Sequence, residues 1–154
     1  MIKGDNLWVV WKTDPHNGGV SSTSALDSDV LLEICEAETH TLSEIESRGL
    51  CQGCPDGKCL LPFSLVLMLR YRLSNGFDLS CTDLIGEWPT IKDQFTQELV
   101  ECVEDLKATF EPGKALNLTS CPTGFYPSVV DEQFGADNQV VRYSSSYFST
   151  GDPY

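Results

Sequence analysis

Between Cys51 and Cys81 the chain gathers four of its seven cysteines around its most apolar segment. Cys51, Cys54 and Cys59 share a Gly/Pro loop, the run Leu60 to Leu69 follows, and Cys81 closes the stretch. Buried structural cysteines usually sit singly at inward-facing positions, so three thiols in such a loop want sulfur partners or a metal. Cys51-x2-Cys54 has half-site spacing for zinc. A structural zinc site adds a second ligand pair, however, and Cys81, Cys102 and Cys121 come singly. Disulfides are therefore the favoured reading, zinc the alternative, and no metal site is assigned. The bridge candidates are Cys35, Cys51, Cys54, Cys59, Cys81, Cys102 and Cys121. An odd count allows at most three bridges and leaves one thiol over, and the spacing does not choose the pairing.

A chain of 154 residues, 41% of them apolar, can bury one ordinary core, so residues 1–154 read as a single domain. The formal net charge of −13 repels phosphate backbones and anionic membrane faces, which excludes nucleic acid as a partner. No run approaches the roughly 20 apolar residues that span a bilayer. No basic segment followed by an apolar run opens the chain, so no signal peptide is visible. With cysteines that favour an oxidising compartment, this points to a domain excised from a larger protein and facing the extracellular or lumenal side of a membrane. Asn117-Leu118-Thr119 is a glycosylation sequon consistent with that location.

Local patterns place the elements. Leu7 to Lys12 is β-branched and aromatic and reads as a mostly buried strand, closed by the turn residues Asn17-Gly18-Gly19. Ser24 with Asp27 reads as a near capping box opening a helix from about Ala25 to Ile45, with Leu26, Val30, Ile34, Ala37, Thr41 and Ile45 on one face. Pro62 suits the start of a short helix, Phe63 to Leu73, apolar nearly all round and stopped by Ser74-Asn75-Gly76. Thr90 with Asp93 caps a second long helix that runs to Phe110, before Pro112-Gly113. Gln139 to Phe148 alternates as a terminal strand. Phe125 and Tyr126 are placed to anchor the loop before it.

Little in the sequence points to chemistry. A nucleophile needs a base, and only His16, in a turn, and His40, on a helix surface, are at hand. The serines lie in runs without a nucleophile elbow, and no phosphate-binding loop follows Gly18-Gly19. Neither an enzyme nor a cofactor is expected.

Taken in order, Asn6-Leu-Trp-Val-Val-Trp-Lys12, Gly18-Gly19, the Cys51 to Cys59 loop leading into Leu61-Pro-Phe-Ser-Leu65, Ser80-Cys81, and Arg142-Tyr-Ser-Ser-Ser-Tyr-Phe-Ser-Thr-Gly-Asp-Pro153 resemble the first extracellular domain of Dispatched-like and Patched-like proteins, members of the RND superfamily. The resemblance implies an α+β, ferredoxin-like porter-type sandwich with two long helices and a disulfide-rich irregular insertion. It also implies a role in the outer route for lipid, sterol or lipid-modified ligands. The partners would then be the remaining domains and transmembrane helices of a parent chain, with Phe63, Val66, Leu67 and Leu69 as apolar contacts. The alternative is a free-standing, secreted, disulfide-rich adhesion or receptor-type binding module.

Overall fold

The computed structural model describes residues 6–13, 24–51, 58–109 and 120–149. Strand β1 (Leu7–Lys12) is followed by helices α1 (Ser28–Ser47), α2 (Leu65–Arg72) and α3 (Cys81–Thr109), a single 3-10 turn at Pro127–Val129, and strand β2 (Tyr143–Phe148). The two strands, far apart in the chain, pair antiparallel, with Leu7 opposite Phe148 and Lys12 opposite Tyr143. Among the described residues the fold is mostly helical and carries only this two-stranded sheet, which overturns the ferredoxin-like sandwich. Such a sandwich needs βαβ units. Among the described residues the helices follow one another without an intervening strand and pack on themselves.

Helix α3 supplies the centre of the core. Leu84, Ile85, Trp88, Phe95, Leu99, Val100, Val103 and Leu106 recur at helical spacing and are buried. The Trp88 and Phe95 rings meet edge to face, with centroids 5.3 Å apart, and the Trp88 indole donates to the Leu26 carbonyl at 2.8 Å. The helix begins nine residues ahead of the predicted cap at Thr90 and carries Pro89 inside it. Pro89 removes one backbone donor and costs helix stability. Burial of Leu84, Ile85 and Trp88 outweighs that cost, at about 1.5–3 kcal/mol for a fully buried aliphatic side chain. The actual start is marked by Ser80, whose hydroxyl accepts from the Asp83 amide at 3.2 Å.

Helix α1 lays Leu31, Ile34, Cys35 and Ile45 against this core. Its predicted capping residues act one turn early. Asp27 Oδ2 accepts from the Ser24 amide at 2.9 Å, and Ser24 Oγ accepts from Leu26 and Val141 amides. Ser24 and Asp27 thereby close the turn that leads into the helix and tie it to the chain entering β2. Helix α2 is shorter than predicted. Ser64, in extended conformation, caps it by accepting from the Leu67 amide, while Phe63 is drawn into a bridge with Tyr147. Leu65 to Leu69 are all buried.

Three disulfides staple these parts: Cys35–Cys81 joins α1 to the start of α3, Cys51–Cys59 closes a short loop, and Cys102–Cys121 ties α3 to the segment before the 3-10 turn. Cys54 and Asn117 lie outside the described residues, as do His16, Phe110 and the turn at Gly18-Gly19. The final loop is held by Asp131, whose Oδ2 accepts from the Arg142 and Tyr143 amides at 2.7 and 3.0 Å. Glu104 of α3 accepts from the Ala136 amide.

Candidate functional site

Two neighbouring features stand out from the core: the outer side of the sheet, and a groove beneath it that contains a buried carboxyl. The sheet side begins with strand register. Tyr147 gives both its amide and its carbonyl to Phe63, at 2.9 Å each. Its pairing with Trp8 is therefore of the non-hydrogen-bonded kind, and Trp8 turns its own amide and carbonyl away from β2. Thr13, bonded to the Arg142 carbonyl at 2.9 Å, sets the same phase from the other end. Odd-numbered residues of β1 bond to β2, and even-numbered ones face the outer edge. Among the described residues no backbone partner meets the outward groups of Trp8 and Val10.

The side chains of this strand are exposed to match, which corrects the expectation of a mostly buried one. Val10 is 65% exposed and Trp8 52%. Trp8, Tyr147 and Phe63 form a row across three adjacent segments, with Trp8–Tyr147 centroids 4.5 Å apart and Phe63–Tyr147 centroids 6.2 Å apart. Tyr126 packs beside Trp8 and Phe63, and its hydroxyl reaches the Phe63 carbonyl at 2.9 Å and the Ser145 carbonyl. Burial pushes the Tyr126 phenol up to about 12, so it stays a neutral donor. The rings are mutually tilted, by 36° to 75°, and so make a contoured surface rather than a flat stacking platform.

The inner side of the same sheet carries polar groups beside the buried Phe148. Ser144 and Ser146 are buried there, while Ser145, opposite Val10, faces the other side and is covered by Tyr126. The Trp11 indole donates to Ser146 Oγ at 2.7 Å, and Ser146 Oγ donates to Glu38 Oε1. Glu38 belongs to α1 yet is only 5% exposed. Desolvation pushes its carboxyl up to about 7, an effect that Ser146, Ser64 and the Arg70 charge offset only in part. The Arg70 guanidinium is held by the Gly76 and Leu79 carbonyls at 2.7 and 2.8 Å, and also reaches the Cys35 sulfur. Glu38 and Arg70 line a groove of about 210 Å³ between α1 and α2, walled by Leu42, Leu61, Val66, Leu67 and Phe77.

The predicted site residues fall as follows. Six of the candidate cysteines pair as described above, so they hold the frame rather than a metal, and the described residues contain no cluster of three or more metal-ligating side chains. Of the apolar candidates, Val66, Leu67 and Leu69 are buried, the first two also walling the groove, and Phe63 joins the aromatic row. His40 is exposed on α1. Glu38 escapes the sequence reading, although a signal was present: Leu31, Ile34, Cys35, Glu38, Leu42 and Ile45 share one helical face, which puts an acid on an apolar stripe.

No family model, no curated protein and no solved structure matches the chain. The mostly helical fold removes the ferredoxin-like, porter-type sandwich that the resemblance implied. Among the described residues no helix is long and apolar enough to cross a membrane.

Proposed function

We infer that this chain is a disulfide-stapled binding module of an oxidising, extracellular or lumenal compartment, which recognises an extended segment of a partner protein by strand addition to β1. The observation that carries this reading is the outer edge of β1: Trp8 and Val10 offer backbone groups that no described residue pairs, beside half-exposed apolar side chains. An edge of that kind is a template for pairing, and proteins that do not use it usually blunt it with charge, proline or a bulge. Main-chain bonds then supply affinity, and the side chains on the outer face supply selectivity. A chain of net charge −13 favours a partner segment in which basic residues alternate with apolar ones. Three bridges fit the compartment, since such bonds persist where the medium is oxidising.

The test uses two probe peptides on the oxidised, isotope-labelled protein: one alternating lysine with valine, one alternating glutamate with valine. The lysine peptide is expected to shift the amide signals of Trp8 and Val10 saturably, and the glutamate peptide is not. Failure of both peptides, or equal shifts from both, contradicts the reading. Thiol counting in denaturant without reductant supplies the second arm: one reactive thiol is expected, and seven would remove the oxidising compartment from the account.

A further inference from the structure

The groove between α1 and α2 has the composition of a small-ligand site, with an apolar wall on several sides and one buried carboxyl that its neighbours leave incompletely used. An ionised carboxylate has about four acceptor positions. Among the described residues the Ser146 and Ser64 hydroxyls are the hydrogen-bond partners of Glu38, which leaves acceptor positions over. Arg70, the other charged group in the groove, spends its donors on the Gly76 and Leu79 carbonyls and the Cys35 sulfur, so it is poorly placed to clamp an anion. The long-range field of a chain at −13 opposes anions as well and concentrates cations.

We propose that this groove binds a small amphipathic amine, its ammonium donating to Glu38 and its apolar body lying against Leu42, Leu61, Val66 and Phe77. The size fits: a cavity of about 150 Å³ accepts a benzene ring, and about 210 Å³ takes a ring with a short alkylamine arm. Phe77, half exposed at the rim and held edge to face against Tyr71 at 5.0 Å, adds an aromatic surface where such a ring would enter.

Binding of this kind carries a pH signature. Glu38 titrates near 7 in the free protein, and an ammonium is held by the ionised form. The charged or titratable groups acting on it from the packed elements are Arg70 of α2 and Tyr126 of the loop before β2, while β1 and β2 bring only Trp11 and Ser146. Near pH 6 the ligand must first displace a proton from Glu38, whereas near pH 8 the proton is already gone. Apparent affinity therefore rises about tenfold between the two.

Phenethylamine is the probe, compared with 2-phenylethanol and 3-phenylpropionate as neutral and anionic analogues, titrated into the oxidised protein and read by chemical shifts of groove residues. The amine is expected to bind best of the three and about tenfold more tightly near pH 8 than near pH 6. Glu38→Gln, which mimics the neutral carboxyl and so preserves the fold, is expected to weaken the amine and abolish the pH dependence. Leu42→Trp, which fills the groove one turn along α1 from Glu38 and leaves the carboxyl in place, is expected to block all three probes. No saturable shift at either pH overturns the proposal, as does tighter binding of the propionate or a pH dependence that survives Glu38→Gln. These outcomes are independent of strand addition at β1, which is read at Trp8 and Val10.

Discussion

Trp88 and Trp8 mark two regions built on opposite terms. Trp88 is 1% exposed, packed against Phe95 and satisfied by the Leu26 carbonyl, at the centre of three helices whose inward apolar faces are buried. Trp8 is 52% exposed on a strand whose inner neighbours are buried serines and a protonatable glutamate. The helical region draws its stability from apolar burial, which is insensitive to pH and tolerates nothing that breaks the packing. The sheet adds to the inward Phe148 and Trp11 a polar network beneath it, which fixes geometry while Trp8 and Val10 stay on the outside. A surface can afford exposed aromatics when the stability of the domain comes from elsewhere.

The difference is broken most severely at Trp88. Trp88→Ala should cost about 3–5 kcal/mol in urea unfolding, whereas Trp8→Ala, on the exposed face, should cost less than about 1 kcal/mol. Comparable losses from the two would mean that the sheet is part of the same packed core.

The staples come next. By loop length the Cys35–Cys81 bridge, 46 residues apart, should contribute about 4 kcal/mol, Cys102–Cys121 about 3 and Cys51–Cys59 between about 2 and 3. Paired cysteine-to-serine variants should lower the melting temperature in that order. A larger loss from the Cys51–Cys59 pair than from Cys35–Cys81 would contradict the ranking.

Glu38 sharpens the comparison through pH. Its folded pKa of about 7 stands above the ordinary 4.5, so the fold binds more protons than the unfolded chain across that window. The stability this group contributes is fully present below about 4.5 and is lost as pH rises through about 7, by roughly 3 kcal/mol in all. Glu38→Gln should therefore be more stable than the parent near pH 8 and close to it near pH 4.5. Parallel pH–stability curves for the two proteins would show that the network does not carry the titration.

What the sequence disclosed divides along the same line. The apolar periodicities of α1 and α3 were legible because burial imposes a period that the residues must show. The start of α3 was not, because Pro89 and the Thr90–Asp93 pair mimic a helix boundary, and only tertiary burial of Leu84, Ile85 and Trp88 reveals that the helix runs through them. At the sheet, alternation located both strands but not which faces would be covered. Leu7 to Lys12 looks like a core strand, since aromatic and β-branched residues serve a binding surface as well as a core. Glu38 illustrates the remaining gap. Its place on an apolar stripe is visible, whereas Ser146, 108 residues further on, is brought to it only by the fold.

The smallest effect on stability, and the most direct test of the claim that β1 is an open, usable edge, is amide hydrogen exchange along that strand in the unliganded, oxidised protein. Alternation is expected: Val9 and Trp11, bonded to β2, exchange slowly, whereas Trp8 and Val10, facing outward, exchange close to the rate of an unstructured peptide. Protection of Trp8 and Val10 equal to that of Val9 would mean that the edge is already covered, and would contradict strand addition as the way this module binds.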